Sequence, residues 1–257
     1  MEENMVEETK NDFGGFTKPQ MNLIYLLDTS GSMWNEPINQ LNAAMVDALE
    51  VAKEAGIEKE VDVQVRVVQF STSAQWIVGK EDVGERPQNI TWKPLNADGG
   101  TDTAAAIDSA RGVMHRKYLG VRNYKPVVIL ITDGCSNDRE ATKQAVDRLK
   151  ASLKSSTGQA KDKIIRIALG VTGADRAELE YFASIGNIEH EDGTVEKDVP
   201  LVFDVSDVSL LKGILRSVTQ SSIYSSINAG TAGESSEKTT VTIDKSQNPE
   251  ENSNWEI

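Results

Sequence analysis

The stretch Asp28-Thr29-Ser30-Gly31-Ser32 sets one carboxylate and two hydroxyls on a single short loop, with a glycine between the hydroxyls. Oxygen donors of this kind suit a hard divalent cation, and the glycine lets the backbone turn sharply between them. The string alone also fits a plain turn, because Asp, Ser and Gly are favoured in turns whatever the loop does. Two further loops offer matching chemistry: Gly99-Gly100-Thr101 carries a hydroxyl, and Thr132-Asp133-Gly134 carries a second carboxylate. Three loops can converge on one ion only if a scaffold delivers them to the same edge.

The hydrophobic pattern supplies such a scaffold. Met21 to Leu27 is a nearly continuous apolar run ending at Asp28, the mark of a central strand buried on both faces. Pro37 then sits where helices accept proline, and Ile38, Leu41, Met45, Leu49 and Ala52 recur at helical spacing. Val61, Val63, Val65 and Val67 alternate with polar residues before Val68 and Phe70. The polar turn Ser71-Thr72-Ser73 leads on to Trp76-Ile77-Val78, a hairpin whose second strand forms an antiparallel edge.

After the Thr101 loop comes a helix carrying Ile107, Ala110, Met114 and Tyr118, and then the strand-helix unit repeats. Strands are expected at Val127 to Ile131, Ile164 to Val171 and Leu201 to Val205, and helices at Asp138 to Leu153, Arg176 to Ser184 and Asp207 to Gln220. Asn137 with Glu140 reads as a capping box, and Ser206 as the cap of the last helix. The alternation implies an α/β fold: a doubly wound, mostly parallel six-stranded sheet with one antiparallel edge strand and helices on both faces. Ligands of such sheets sit beyond the carboxyl ends of the strands, near the point where strand order reverses. The loops after Leu27 and Ile131 lie there.

The regular pattern spans residues 21–223, with an acidic extension over 1–20 and a polar tail over 224–257. The first residues lack the basic start and apolar core of a secretory signal, and no apolar run approaches the length of a membrane span. The single cysteine, Cys135, rules out an intrachain disulfide and fits a reducing, cytoplasmic setting. A net charge of -13 argues against nucleic-acid and anionic-membrane partners, which repel an acidic protein. The tail is expected to be disordered and dispensable for folding. Within it, Val241 and Ile243 could still form a short strand, and Trp255 could dock.

The order and chemistry of the three loops resemble the von Willebrand factor A family, whose metal-ion-dependent adhesion site reads D-x-S-x-S, then a distant threonine, then a distant aspartate. The resemblance covers about Met21 to Gln220. It implies that Ser30, Ser32 and Thr101 offer hydroxyl oxygens to an ion, with Asp28 and Asp133 supplying charge, partly through bound waters. It further implies Mg²⁺, with Mn²⁺ or Ca²⁺ as alternatives, and a protein partner whose Asp or Glu completes the coordination. The string Leu26-Leu27-Asp28-Thr29-Ser30-Gly31-Ser32-Met33, with Pro37-Ile38 and Ile131-Thr132-Asp133-Gly134, looks like the bacterial branch that includes the tellurium-resistance TerY proteins, which act in stress-response systems.

A second class of function is an enzyme, a magnesium-dependent phosphohydrolase with Asp28 as nucleophile. Phosphohydrolases of the haloacid dehalogenase pattern place another aspartate two residues later, where this chain has Ser30, and serine does not transfer protons near neutral pH as a carboxylate does. There is also no nucleophile elbow and no phosphate-binding lysine loop. The binding module is therefore the first reading, with no catalytic residues. Around the site, Asp98 and Asp102 could tune the ion's field and Trp34 could anchor a partner. Cys135 reads as a small buried or half-buried residue, and neither His115 nor His190 has the company a zinc site needs.

Overall fold

The computed structural model describes residues 18–119, 123–153, 163–171, 173–230 and 238–243. The acidic extension up to residue 17 and Trp255 lie outside these. Strand β1 (Gln20–Asp28) feeds helix α1 (Glu36–Glu58), followed by β2 (Asp62–Phe70), β3 (Ala74–Val78), α2 (Thr103–Val113) and the short α3 (Arg116–Leu119). Then come β4 (Val127–Thr132), α4 (Arg139–Ala151), β5 (Ile165–Val171), α5 (Arg176–Phe182), β6 (Ile185–His190), β7 (Val195–Pro200), β8 (Val202–Val205), α6 (Leu211–Asn228) and β9 (Thr240–Ile243).

Six strands form the main sheet in the order β3-β2-β1-β4-β5-β8. All neighbours run parallel except β2 and β3, so β3 is the antiparallel edge that the Ser71-Thr72-Ser73 turn implies. Every residue of β1 from Met21 to Asp28 is buried, because alternate side chains enter two separate cores. Leu23, Tyr25 and Leu27 pack with α1 and α6, whereas Ile24 and Leu26 pack with α2, α4 and α5. Helix α1 carries Pro37 in its first turn, where the missing N–H costs nothing, and buries Ile38, Leu41, Met45, Leu49 and Ala52 along one face. Each such large side chain contributes roughly 1.5–3 kcal/mol when fully withdrawn from water.

Three expectations need correction. Helix α4 is capped by Asp138, whose side chain accepts from Ala141 N at 2.9 Å, and not by the Asn137–Glu140 pair. The backbone N–H of Asn137 is instead spent on Thr101 O at 2.9 Å. The start of the last helical segment is closed by Asp207, which accepts from Ser209 N at 3.0 Å, and α6 then runs on to Asn228, burying Ile223 and Ser226. Finally, the segment expected as part of a disordered tail holds β9. Strand β9 pairs parallel with β6, which pairs antiparallel with β7, giving a second sheet of order β7-β6-β9. Val241 is wholly buried and Ile243 nearly so, both in the core shared with α6, so two apolar residues suffice to seat the strand.

Candidate metal centre

Asp28 closes β1 at full burial. One of its oxygens accepts from the backbone N–H of Ser30 at 2.8 Å, and the other from the hydroxyl of Thr132 at 2.5 Å. Ser30 and Ser32 lie on the loop that follows, their hydroxyl oxygens 3.0 Å apart, and the Ser32 hydroxyl donates to Asp133 Oδ1 at 2.7 Å. Asp28, Ser30, Ser32 and Asp133 thus form one hydrogen-bonded chain joining the ends of β1 and β4. Gly31 opens a single 3-10 turn, Gly31–Met33, and a Cβ on it would stand 3.4 Å from Gly99 O. That distance is an ordinary contact, and what ties the two loops here is the backbone bond from Gly31 N to Gly99 O at 3.0 Å.

Thr101 belongs to that neighbouring loop and is buried. The loop is held from three sides. Asp98 N donates to Thr29 O at 2.8 Å, Asp102 N to Ser71 O at 2.6 Å, and Asn137 N to Thr101 O at 2.9 Å. Gly99 adopts φ +85, and a Cβ there would meet Thr72 Oγ1 at 2.6 Å, so only glycine fits. The hydroxyl of Thr72 accepts from Gly100 N at 2.9 Å. Residues of the β2–β3 turn therefore position the threonine loop, which no spacing in the sequence signals. Asp98 and Asp102 are spent locally: the first accepts from Gly99 N at 2.8 Å and the second caps α2 through Ala105 N at 3.0 Å.

Burial holds the Asp28 carboxyl above the usual carboxylate range, against the pull of Thr132 and Ser30, and Asp133 adds repulsion. Burial raises Asp133 in the same way, against its bond from Ser32. Among the described residues, neither carboxylate forms an ion pair with a lysine, arginine or histidine. Two buried carboxylates and adjacent hydroxyls, all oxygen donors without a protein cation, have the chemistry a hard divalent ion requires. Among the described residues, no group of three or more His, Cys, Asp or Glu side chains is arranged to hold a metal ion, so a soft-ligand zinc site has no support there. His115 packs edge-on to Tyr118, and His190 lies 2.7 Å from Glu196.

At the rim, Trp34 directly follows the 3-10 turn and is 66% exposed. Cys135 is exposed and not buried, with its sulfur 3.3 Å from an Arg139 nitrogen. No helix among the described residues is long and apolar enough to cross a membrane.

Solved structures share this architecture at low sequence identity. Proximal thread matrix protein 1 from the mussel byssus, in a form described as having a zinc-occupied MIDAS motif, matches with TM-score 0.56 and 21% identity over 79% of this chain and 48% of its own. Another crystal form of that protein gives TM-score 0.55 and 20% identity, again over 79% of this chain and 48% of its own. A von Willebrand factor type A protein from Catenulispora acidiphila matches with TM-score 0.56 and 17% identity over 80% of this chain and 43% of its own. The chain thus spans less than half the length of these neighbours, and the likeness is one of fold. No curated protein gives a significant match. The von Willebrand factor type A domain profile, however, matches residues 22–216, most of the sequence and every loop described above, and the chain belongs to that family.

Proposed function

We propose that this protein is a divalent-cation-dependent protein-binding module in which Asp28, Ser30, Ser32, Thr101 and Asp133 hold Mg²⁺ and a partner's Asp or Glu completes the coordination. The observation that carries the reading is the pair of buried carboxylates, Asp28 and Asp133, which share a hydrogen-bonded chain and, among the described residues, pair with no lysine, arginine or histidine. Buried charge of one sign is costly unless paired or bound to metal, and an ion among hydroxyls and carboxylates relieves that cost. Mg²⁺ keeps waters in its octahedral shell, and a partner carboxylate can displace one. The mussel protein's zinc-occupied motif supports a divalent ion at this place in the fold. Mn²⁺ and Ca²⁺ remain within the chemistry of the same donors.

The motif style of the Asp28 and Asp133 loops favours a place beside the tellurium-resistance TerY proteins, in a cytoplasmic stress-response complex. The single cysteine agrees with a reducing compartment. The test has two stages. Calorimetry should show Mg²⁺ or Mn²⁺ binding that Asp133→Ala abolishes while the variant stays folded, and a wild type that binds neither ion refutes the site. Affinity capture in Mg²⁺ and in chelator should then yield a partner retained only with the ion. A partner indifferent to chelation binds elsewhere.

A further inference from the structure

Beyond the five oxygen donors, a sixth residue controls the geometry, and the case for it rests on the cation-site reading above. Thr132 is the last residue of β4 and is buried. Its hydroxyl donates to Asp28 Oδ2 at 2.5 Å and accepts from Gly134 N at 3.3 Å. From the opposite direction, Ser32 on the β1 loop donates to Asp133 on the β4 loop at 2.7 Å. Two hydroxyl-to-carboxylate bonds therefore cross between the same pair of loops in opposite senses and close a brace around the donors.

We infer that Thr132 is the positioning residue of this site, fixing the plane of the Asp28 carboxylate and the start of the Asp133 loop through one hydroxyl. The terminal torsion of an aspartate is broad and soft, so a carboxylate is oriented by its hydrogen-bond donors and not by its own rotamer preference. Ser30 N holds one oxygen of Asp28 from within the same loop, and Thr132 holds the other from across the sheet. Without the hydroxyl the carboxylate plane is free to swing, and Gly134 N loses its acceptor at the turn that carries Asp133. Residues that orient metal ligands without touching the ion commonly govern its affinity by about 10–100-fold.

Valine matches threonine in shape and suits a buried strand, so Thr132→Val removes the hydroxyl with little change in packing. Thr132→Ser restores it. Measured by calorimetry with Mg²⁺ and Mn²⁺, the Val variant should bind about 10–100-fold more weakly, and the Ser variant should return close to the wild type. The thermal midpoint in chelator separates positioning from general stability. It should change far less between Ser and Val than the affinity does. Should the Val variant not fold, Thr132→Ala carries the same expectation. Wild-type affinity in a folded variant without the hydroxyl, or an equal loss in the Ser variant, overturns the assignment. Failure of the wild type to bind either ion is a different result, since it removes the cation site itself.

Discussion

Replacing Asp28 by asparagine should move stability in opposite directions with and without metal. Asparagine keeps an oxygen for Ser30 N but sets an N–H where Thr132 now donates at 2.5 Å, so that hydroxyl must turn and become an acceptor. Losing hydrogen bonds to a charged group costs about 1.5–3 kcal/mol. Against this, the variant no longer buries an ion, a penalty of several kcal/mol after relaxation, and no longer repels Asp133. Burial wins in the wild type, because the Asp28 carboxyl is raised despite its donors. In chelator at neutral pH the variant should therefore be the more stable protein by roughly 1 kcal/mol or more, or about 2–4 °C for a domain of this size. A carboxyl raised by folding weakens the folded state as pH climbs from the unfolded value, near 3.9, through the folded one. The gap should open over that window and be absent at more acidic pH. Saturating Mg²⁺ at about 100 times its Kd adds roughly 2.7 kcal/mol to the wild type, which at 2–4 °C per kcal/mol is a rise of about 5–11 °C, and should add nothing to the variant. Differential scanning calorimetry at several pH values, in chelator and in Mg²⁺, reads both arms. A variant less stable than the wild type in chelator at pH 7, or one still stabilised by Mg²⁺, refutes the reasoning.

Two further changes probe the partner and the second sheet. Trp34→Ala should leave Mg²⁺ affinity unchanged while weakening a cation-dependent partner by about 2 kcal/mol, since the indole stands exposed beside the Ser32 turn; equal partner affinity in a binding assay would place the interface away from that rim. Val241→Asp puts a charge where the wild-type side chain is wholly buried, so β9 should detach and the thermal midpoint should fall by several degrees. An unchanged midpoint would mean that residues beyond α6 are dispensable for folding after all.

The main sheet was legible because its inner strands β1, β4 and β5 are buried on both faces and appear as nearly unbroken apolar runs, while β2 shows alternation. Met21 to Leu27 and Val127 to Ile131 leave little choice, and Pro37 fixes the start of α1. The β6–β7 hairpin leaves no apolar pattern in the sequence, because it faces solvent over much of its length and carries Glu189, Glu196, Lys197 and Asp198. Its one usable signal was Asp192-Gly193, a hairpin-turn pair, with Gly193 at φ +80. Strand β9 was half legible: Val241 and Ile243 mark a possible short strand within the polar tail, but nothing in four residues names β6 as its neighbour or the core of α6 as its seat. At the site, the motif resemblance named donors but not what orients them. Thr72, Thr132 and Asn137 act through contacts between segments far apart in sequence, and these exist only once the strand register is set.

That register also accounts for where the site lies. From β1 the chain steps outward to β2 and β3, whereas β4, β5 and β8 extend from the other side of β1, so strand order reverses between β1 and β4. Helix α1 leaves β1 toward one face and α2 leads toward β4 on the other, so the connections on either side of this boundary lie on opposite faces of the sheet. Leu27 pairs with Ile131, so the next residues, Asp28 and Thr132, stand level at the two strand ends. A shift of one residue between β1 and β4 would invert which side chains meet the two cores and would separate this pair. The apolar alternation that packs both faces therefore also holds the Thr132 hydroxyl against the Asp28 carboxylate, and core packing and site geometry are fixed by a single strand alignment.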